Sequence, residues 1–139
     1  MQRLFNYTIL LAMVTAFSGC GKSDGPYLRT PGRLQKGGQS FVAQEGEFIQ
    51  VTFVPIMPDN SPALDYYYAD VDQVSGSFVP AGKNRKGMPP GKYRVAVELM
   101  KKKKDLLGGK FDAAQSPFVF DFDASTKEIV IDIEKPPAA

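Results

Sequence analysis

The sequence predicts an all-β fold arranged as one domain, and three observations support this. Residues 93–99 alternate between apolar and polar side chains, which is the pattern of a strand with one buried face. Several other short runs alternate in the same way and are separated by Gly, Pro and Asn. The chain has 139 residues, 43% hydrophobic and 23% charged, which is an ordinary globular composition with room for one packed core.

The strand at the centre of this prediction follows a stiff turn in which Pro89 and Pro90 precede a glycine. One strand cannot bury its own apolar face, so other strands must cover it. The others are predicted, in chain order, at residues 31–36, 47–55, 64–74, 77–80, 117–123 and 127–134. Residues 124–126 predict a hairpin loop that joins the last two strands.

The alternation also predicts which side chains face the core. The predicted inward residues of the clearest strands are Ile49, Val51, Phe53, Tyr93, Val95, Val97, Leu99, Phe118, Phe120, Phe122, Ile129, Ile131 and Ile133. Aromatic and β-branched faces of this kind pack well as cross-strand neighbours.

The composition argues against catalysis. The chain has no histidine and one cysteine, which removes histidine acid–base chemistry, Cys–His nucleophiles, zinc sites and an internal disulfide from consideration. No Gly-x-Ser-x-Gly elbow or phosphate-binding loop is present. A net charge of +2 is too small to suggest a nucleic-acid partner. We therefore expect a protein that is not an enzyme and needs no cofactor or metal.

The amino terminus is typical of an exported protein. Arg3 is followed by a mostly apolar run, residues 4–16, which is shorter than the ~20 residues needed to span a bilayer. The run ends in Phe17, Ser18, Gly19 and Cys20, and small residues before a cysteine resemble the lipobox of bacterial lipoproteins. This resemblance implies cleavage before Cys20 and acylation, including palmitate, of that residue. The alternative is a leftover thiol beside an ordinary cleavage site.

These features predict four segments. Residues 1–19 are a lipoprotein signal peptide, residues 20–30 the lipidated cysteine and a flexible tether, residues 31–136 the β domain, and residues 137–139 a tail. The predicted location is the bacterial envelope, with the domain anchored to a membrane on its non-cytoplasmic side.

The motifs carried by residues 32–136 resemble a known family. They are QVTFVP at residues 50–55, ADVD at 69–72, GSF at 76–78, and KGMPPGKYRV at 86–95. Together they resemble carboxypeptidase-regulatory-like, or transthyretin-like, domains, and are most similar to small lipoproteins of the planctomycetal type. The resemblance implies an immunoglobulin-like β-sandwich of about seven strands and no established activity.

One predicted surface lies on the third strand. Tyr67, Ala69 and Val71 face one way, and Tyr66, Tyr68, Asp70 and Asp72 face the other. Tyrosine rings and carboxylates can bind the C–H groups and hydroxyls of a glycan. The alternative is that these tyrosines are packed core residues. The two carboxylates also suggest calcium, although too few oxygen ligands are present at the required spacing.

The second predicted surface is a run of four cations, Lys101, Lys102, Lys103 and Lys104. It is either a solvated loop that ends a strand and protects a sheet edge, or a contact with anionic lipid or polysaccharide. Taken together, the sequence predicts a non-catalytic, membrane-tethered binding or structural module. Its predicted partners are the membrane and an envelope protein or polysaccharide. The alternative is an accessory domain of an envelope enzyme or transporter complex.

Overall fold

The structure is a computed structural model that describes residues 26–59, 63 and 65–137. These residues form nine strands and one 3-10 turn, Lys83–Arg85, without an α-helix. The strands are β1 Gly32–Lys36, β2 Gln39–Ser40, β3 Phe48–Pro55, β4 Tyr67–Val71, β5 Ser77–Pro80, β6 Gly91–Lys101, β7 Lys104–Asp105, β8 Val119–Phe122 and β9 Ile129–Asp132. The predicted all-β class is confirmed. The predicted signal peptide and the predicted lipidation site, Cys20, lie outside the described residues.

The strands form one curled sheet in the order β2-β1-β5-β4-β3-β6-β7, with β8 paired to β6 and β9 paired to β1. The longest ladder joins β3 to β6, from Phe48 opposite Met100 to Pro55 opposite Tyr93. All pairings are antiparallel except β1 with β9, which is parallel. Each of the seven predicted strands overlaps one of the longer observed strands, while β2 and β7 contain only two residues each.

The inside of the curl is the hydrophobic core, and the predicted alternation identifies it correctly. Ile49, Val51 and Phe53 are fully buried in β3, and Val95 and Val97 are fully buried in β6. The other inward residues include Leu34, Phe78, Met88, Phe111, Phe118, Phe122, Ile129 and Ile131. Burial of these side chains from both halves of the sheet is the main driving force for the fold.

Tyr93 lies at the centre of an aromatic cluster in this core. Its ring lies 5.9 Å from that of Tyr67 and 6.3 Å from that of Phe53, both edge-on, and 5.7 Å from that of Phe122. These separations are typical of favourable aromatic pairs. The Tyr93 hydroxyl donates a 2.7 Å hydrogen bond to the Pro89 carbonyl. Burial raises the pKa of this hydroxyl above its ordinary value of 10.0, so it stays a donor at physiological pH.

β3 and β4 separate after two paired positions, and the side chain of Gln73 fills the gap. β4 lies between β3 and β5. It pairs with β3 only at Tyr67 and Tyr68, whereas on its other edge it pairs with β5 from Ala69 to Val71. Beyond that point, Gln73 Oε1 accepts the N–H of Ile49 at 2.6 Å, and Nε2 donates to the Ile49 carbonyl at 3.0 Å. The primary amide thus replaces a missing strand, because it offers the same donor and acceptor as a peptide group.

The predicted hairpin between the last two strands is wrong. β8 pairs with β6, with Phe120 opposite Tyr93, whereas β9 pairs with β1 at the other edge of the sheet. Residues 124–126 lie in the connection between these two edges. The Asp123 carboxylate orders the connection by accepting the side-chain and backbone donors of Ser125, which lower the pKa of Asp123. Alternation reports a buried face, and it does not say which strand lies alongside.

The residues just before β1 pack against the domain. Leu28 and Met88 exchange two backbone hydrogen bonds, of 2.7 and 3.0 Å, and the Thr30 side chain is buried against the domain. Gly87 makes this contact feasible, because a Cβ atom there would lie 2.1 Å from the Leu28 carbonyl oxygen and φ is +99°. Leu28 and Thr30, which lie in the predicted tether, therefore pack against the domain.

Candidate functional site

The outward side of β4 carries exposed aromatic side chains. Tyr66, just before the strand, is 49% exposed, and Tyr68 is 55% exposed. The alternate residues Tyr67, Ala69 and Val71 pack against the core, as the sequence predicts. Since Tyr66 and Tyr68 point away from that core, the alternative that they are core residues does not hold. They offer two rings on an open sheet face, from residues whose Cα atoms are about 7 Å apart in an extended chain.

The two carboxylates predicted beside the tyrosines have different environments. The Asp72 carboxylate accepts the backbone N–H groups of Val74, at 2.9 Å, and Ser75, at 3.3 Å, which lower its pKa. This turn also ends β4 before the predicted limit at residue 74. Asp70 lies 3.9 Å from Arg85, and both side chains are largely exposed. Asp70 therefore remains available to a ligand, whereas Asp72 is committed to the turn.

Two ion pairs join the region of β4 to the 3-10 turn. Lys83 contacts Asp65 at 2.6 Å, and its hydrogen bond to that carboxylate and their charge attraction raise the pKa of Lys83. The second pair is Arg85 with Asp70. The 3-10 turn that carries both cations is held to β4 because the Tyr68 carbonyl accepts the N–H of Ala81 at 2.9 Å. We call the surface formed by Tyr66, Tyr68, Asp70 and Arg85 the tyrosine face.

A shallow groove continues from this face. It has a volume of about 430 Å³, lies across β4, β5 and the start of β1, and is lined mainly by apolar atoms. Asp70 belongs both to the groove and to the tyrosine face. Together they offer flat apolar area with donors and acceptors at its margin, which suits binding by stacking and hydrogen bonds.

The described residues hold no arrangement suited to metal binding, since no group of three or more His, Cys, Asp or Glu side chains converges in that part of the chain. The buried Ser116 has a structural contact: its hydroxyl donates to the Val95 carbonyl at 2.5 Å. Within the same residues, no helix is long and apolar enough to cross a membrane.

The four-lysine run forms the tip of a hairpin. Lys101 and Lys104 pair as strand residues, and Lys102 and Lys103 make the two-residue turn, with φ of +48° and +66°. Lys101 lies 3.4 Å from Glu47, which is only 11% exposed. Lys102, Lys103 and Lys104 are exposed and form no ion pair within the described part of the chain. We call these three residues the lysine tip.

The carboxylate that follows the lysine tip is directed toward the backbone. Asp105 accepts the N–H groups of Leu99, Leu107 and Gly109 at 2.8–3.1 Å. Both of its carboxylate oxygens accept hydrogen bonds from backbone N–H groups, so this residue orders the loop after β7. The charges of the lysine tip are therefore left to solvent or to a ligand.

Sequence reasoning missed three of these features. No local signal in the sequence placed Lys83 and Arg85 beside β4, which is more than ten residues away in the chain. The role of Gln73 had no sequence signal either, because a glutamine in a turn is unremarkable until the strands around it are known to separate.

Comparison of the chain with protein-family models, with curated proteins and with solved structures found no match.

Proposed function

We propose that this chain is a non-catalytic lipoprotein of the bacterial cell envelope, anchored through acyl chains on Cys20, whose domain binds glycan through the tyrosine face. In this proposal the two halves of the curled sheet are the layers of a transthyretin-like β-sandwich. The binding part of the proposal rests on the exposure of Tyr66 and Tyr68. Their rings point away from the core, so packing of the core does not explain aromatic residues at these positions.

Two observations support anchoring. Cys20 is the sole cysteine and follows Ser18 and Gly19 at the end of an apolar run. Leu28 pairs with Met88, near the beginning of β6. Only residues 21–27 therefore separate Cys20 from the first residue that pairs with the domain. The root-mean-square span of an unstructured chain of that length is about 15 Å, which would keep the domain at the membrane surface. Several acyl chains, each methylene contributing ~0.8 kcal/mol on burial, make such an anchor stable.

We expect the mature chain to begin at an acylated Cys20. Mass spectrometry of the protein extracted from membranes should show the diacylglyceryl and fatty-acyl mass additions on this residue, and a Cys20→Ala variant should appear in the soluble fraction. An unmodified thiol, or a mature terminus at another residue, would contradict the anchoring proposal without affecting the binding surface.

The tyrosine face favours a glycan for a chemical reason. Flat aromatic rings pack against the C–H faces of sugars, while Asp70 can accept hydrogen bonds from hydroxyls and Arg85 can donate them. The Asp70–Arg85 ion pair is exposed and contributes little to stability, so its two side chains can exchange partners with a ligand at small cost.

We expect the Tyr66→Ala, Tyr68→Ala double variant to lose glycan binding while remaining folded. Binding to an array of envelope glycans should fall at least tenfold, because each stacked ring contributes ~1 kcal/mol or more. Phe48→Ala is the matched control, since Phe48 is equally exposed at 49% but lies at the far end of β3. Equal binding by the wild type, the double variant and the control, or no binding by any of them, would exclude a glycan role for this face.

A further inference from the structure

The lysine tip adopts a backbone conformation that lysine disfavours. Among the described residues, four that are not glycine have positive φ, and two of them are Lys102 and Lys103. A two-residue hairpin turn with positive φ at both positions is best made by Asn-Gly, because a side chain there crowds the backbone. Lysine at both positions sacrifices turn stability, and strain of this kind is concentrated at functional sites.

The ammonium groups of the lysine tip form no ion pair with the described residues. Lys101 is the member of the run that has an acidic partner, Glu47, and the nearby Asp105 carboxylate is occupied by backbone N–H groups. Lys102, Lys103 and Lys104 thus present three adjacent ammonium groups to solvent without a carboxylate partner in the described residues. Their strained positions and their free charges are two independent observations about the same three residues.

The fold places the tip far from the segment that leads to Cys20. β6 begins at Gly91, close to the Leu28–Met88 bridge, and ends at Lys101, where the hairpin turns. β6 has 11 residues, and the rises of ~3.3 Å between its first and last residue put about 33 Å between these two ends. If the domain is anchored as proposed above, the tip faces away from the membrane that holds it, so a lipid surface is a poor partner.

We propose that Lys102, Lys103 and Lys104 form a binding site for an anionic polysaccharide, one that carries carboxylate or sulfate groups along its length. Ammonium groups on flexible stems can each contact a different anionic group of such a polymer without a shaped pocket. A folded protein partner fits less well, because a stable protein interface needs ~800 Å² from each side and a two-residue turn offers little area. Choosing polysaccharide over lipid rests on the proposed anchoring, whereas the anion site itself does not.

The test uses the full mature chain in neutral detergent and immobilised polygalacturonate or dextran sulfate, with neutral dextran as the blank. The variant is Lys102→Asn with Lys103→Gly, which removes two charges and supplies the favoured turn residues. We expect the wild type to bind both polyanions at low salt and to be released as salt rises. We expect the variant to bind at least tenfold more weakly while its thermal midpoint equals or exceeds that of the wild type.

The control variant, Lys92→Asn with Lys127→Asn, removes the same net charge from exposed positions elsewhere. Equal losses in both variants would show that only net charge matters, and unchanged binding in the first variant would remove the tip from the site; either result overturns the proposal. Retention by anionic vesicles, but not by the polysaccharides, through the same lysines would replace it with a lipid contact. Lipidation is measured separately by mass, so failure of the anchor is distinguishable from failure of the site.

Discussion

Replacing Tyr93 by alanine is expected to lower the free energy of unfolding by about 3–5 kcal/mol, the range for removing a large aromatic side chain from a core. Tyr93 is 2% exposed and its ring contacts the rings of Phe53, Tyr67 and Phe122. Because these neighbours come from three different strands, they cannot all collapse into the space left by the ring. Reversible denaturant unfolding, followed by fluorescence or circular dichroism, measures the loss.

Tyr93→Phe is the matched control for this experiment. It keeps the ring and removes only the hydrogen bond from the hydroxyl to the Pro89 carbonyl, so we expect a loss of about 1 kcal/mol. A loss below about 1 kcal/mol for Tyr93→Ala would mean that the aromatic cluster does not hold β6 against its neighbours. Equal losses for the two variants would assign the effect to the hydroxyl and not to the ring.

Replacing Gln73 by leucine is expected to cost about 2–4 kcal/mol, because it leaves both backbone groups of Ile49 without a partner where β3 and β4 separate. Leucine has a similar size, so the lost amide chemistry, and not lost volume, accounts for the effect. Denaturant unfolding gives the stability change. Hydrogen exchange at the Ile49 amide, which should become faster than in the wild type, locates it.

Gln73→Glu is the informative companion variant. At neutral pH a carboxylate can accept the Ile49 N–H but cannot donate to the Ile49 carbonyl, and it is placed next to that carbonyl oxygen. The folded state therefore raises the pKa of the introduced carboxyl, and the variant should regain stability as pH falls and the carboxyl becomes protonated. A variant whose stability relative to the wild type does not change with pH would contradict the role assigned to Gln73.

Much of the architecture follows from period-two alternation. The inward faces of β3, β6 and β9 were predicted residue by residue, because alternate side chains of a strand point to opposite sides. Thr52 and Ala96, on the other side of β3 and β6, are buried as well. The outward position of Tyr66 and Tyr68 follows from the same rule, but their exposure does not, since alternation cannot say whether another layer covers that side.

The candidate surfaces show where sequence reasoning stops. The lysine run was recognised as a charge cluster, but the separation of Lys101 from the other three depends on Glu47, which is supplied by a segment more than fifty residues earlier. Likewise, Asp70 and Asp72 look equivalent in the sequence, and one of them is committed to a turn in the structure. Hydrogen-bond partners of this kind are set by distance in space.

By itself the sequence determined the all-β class, the seven longer strands and the faces that they bury, because these depend on the local order of apolar, polar and turn residues. The tertiary structure alone decided the neighbours of each strand. β8 and β9, adjacent in the chain and both suited to a hairpin, pair instead with β6 and β1, since a strand joins whichever edge best completes the shared core. That competition involves non-local contacts of the whole sheet, and no local pattern records its outcome.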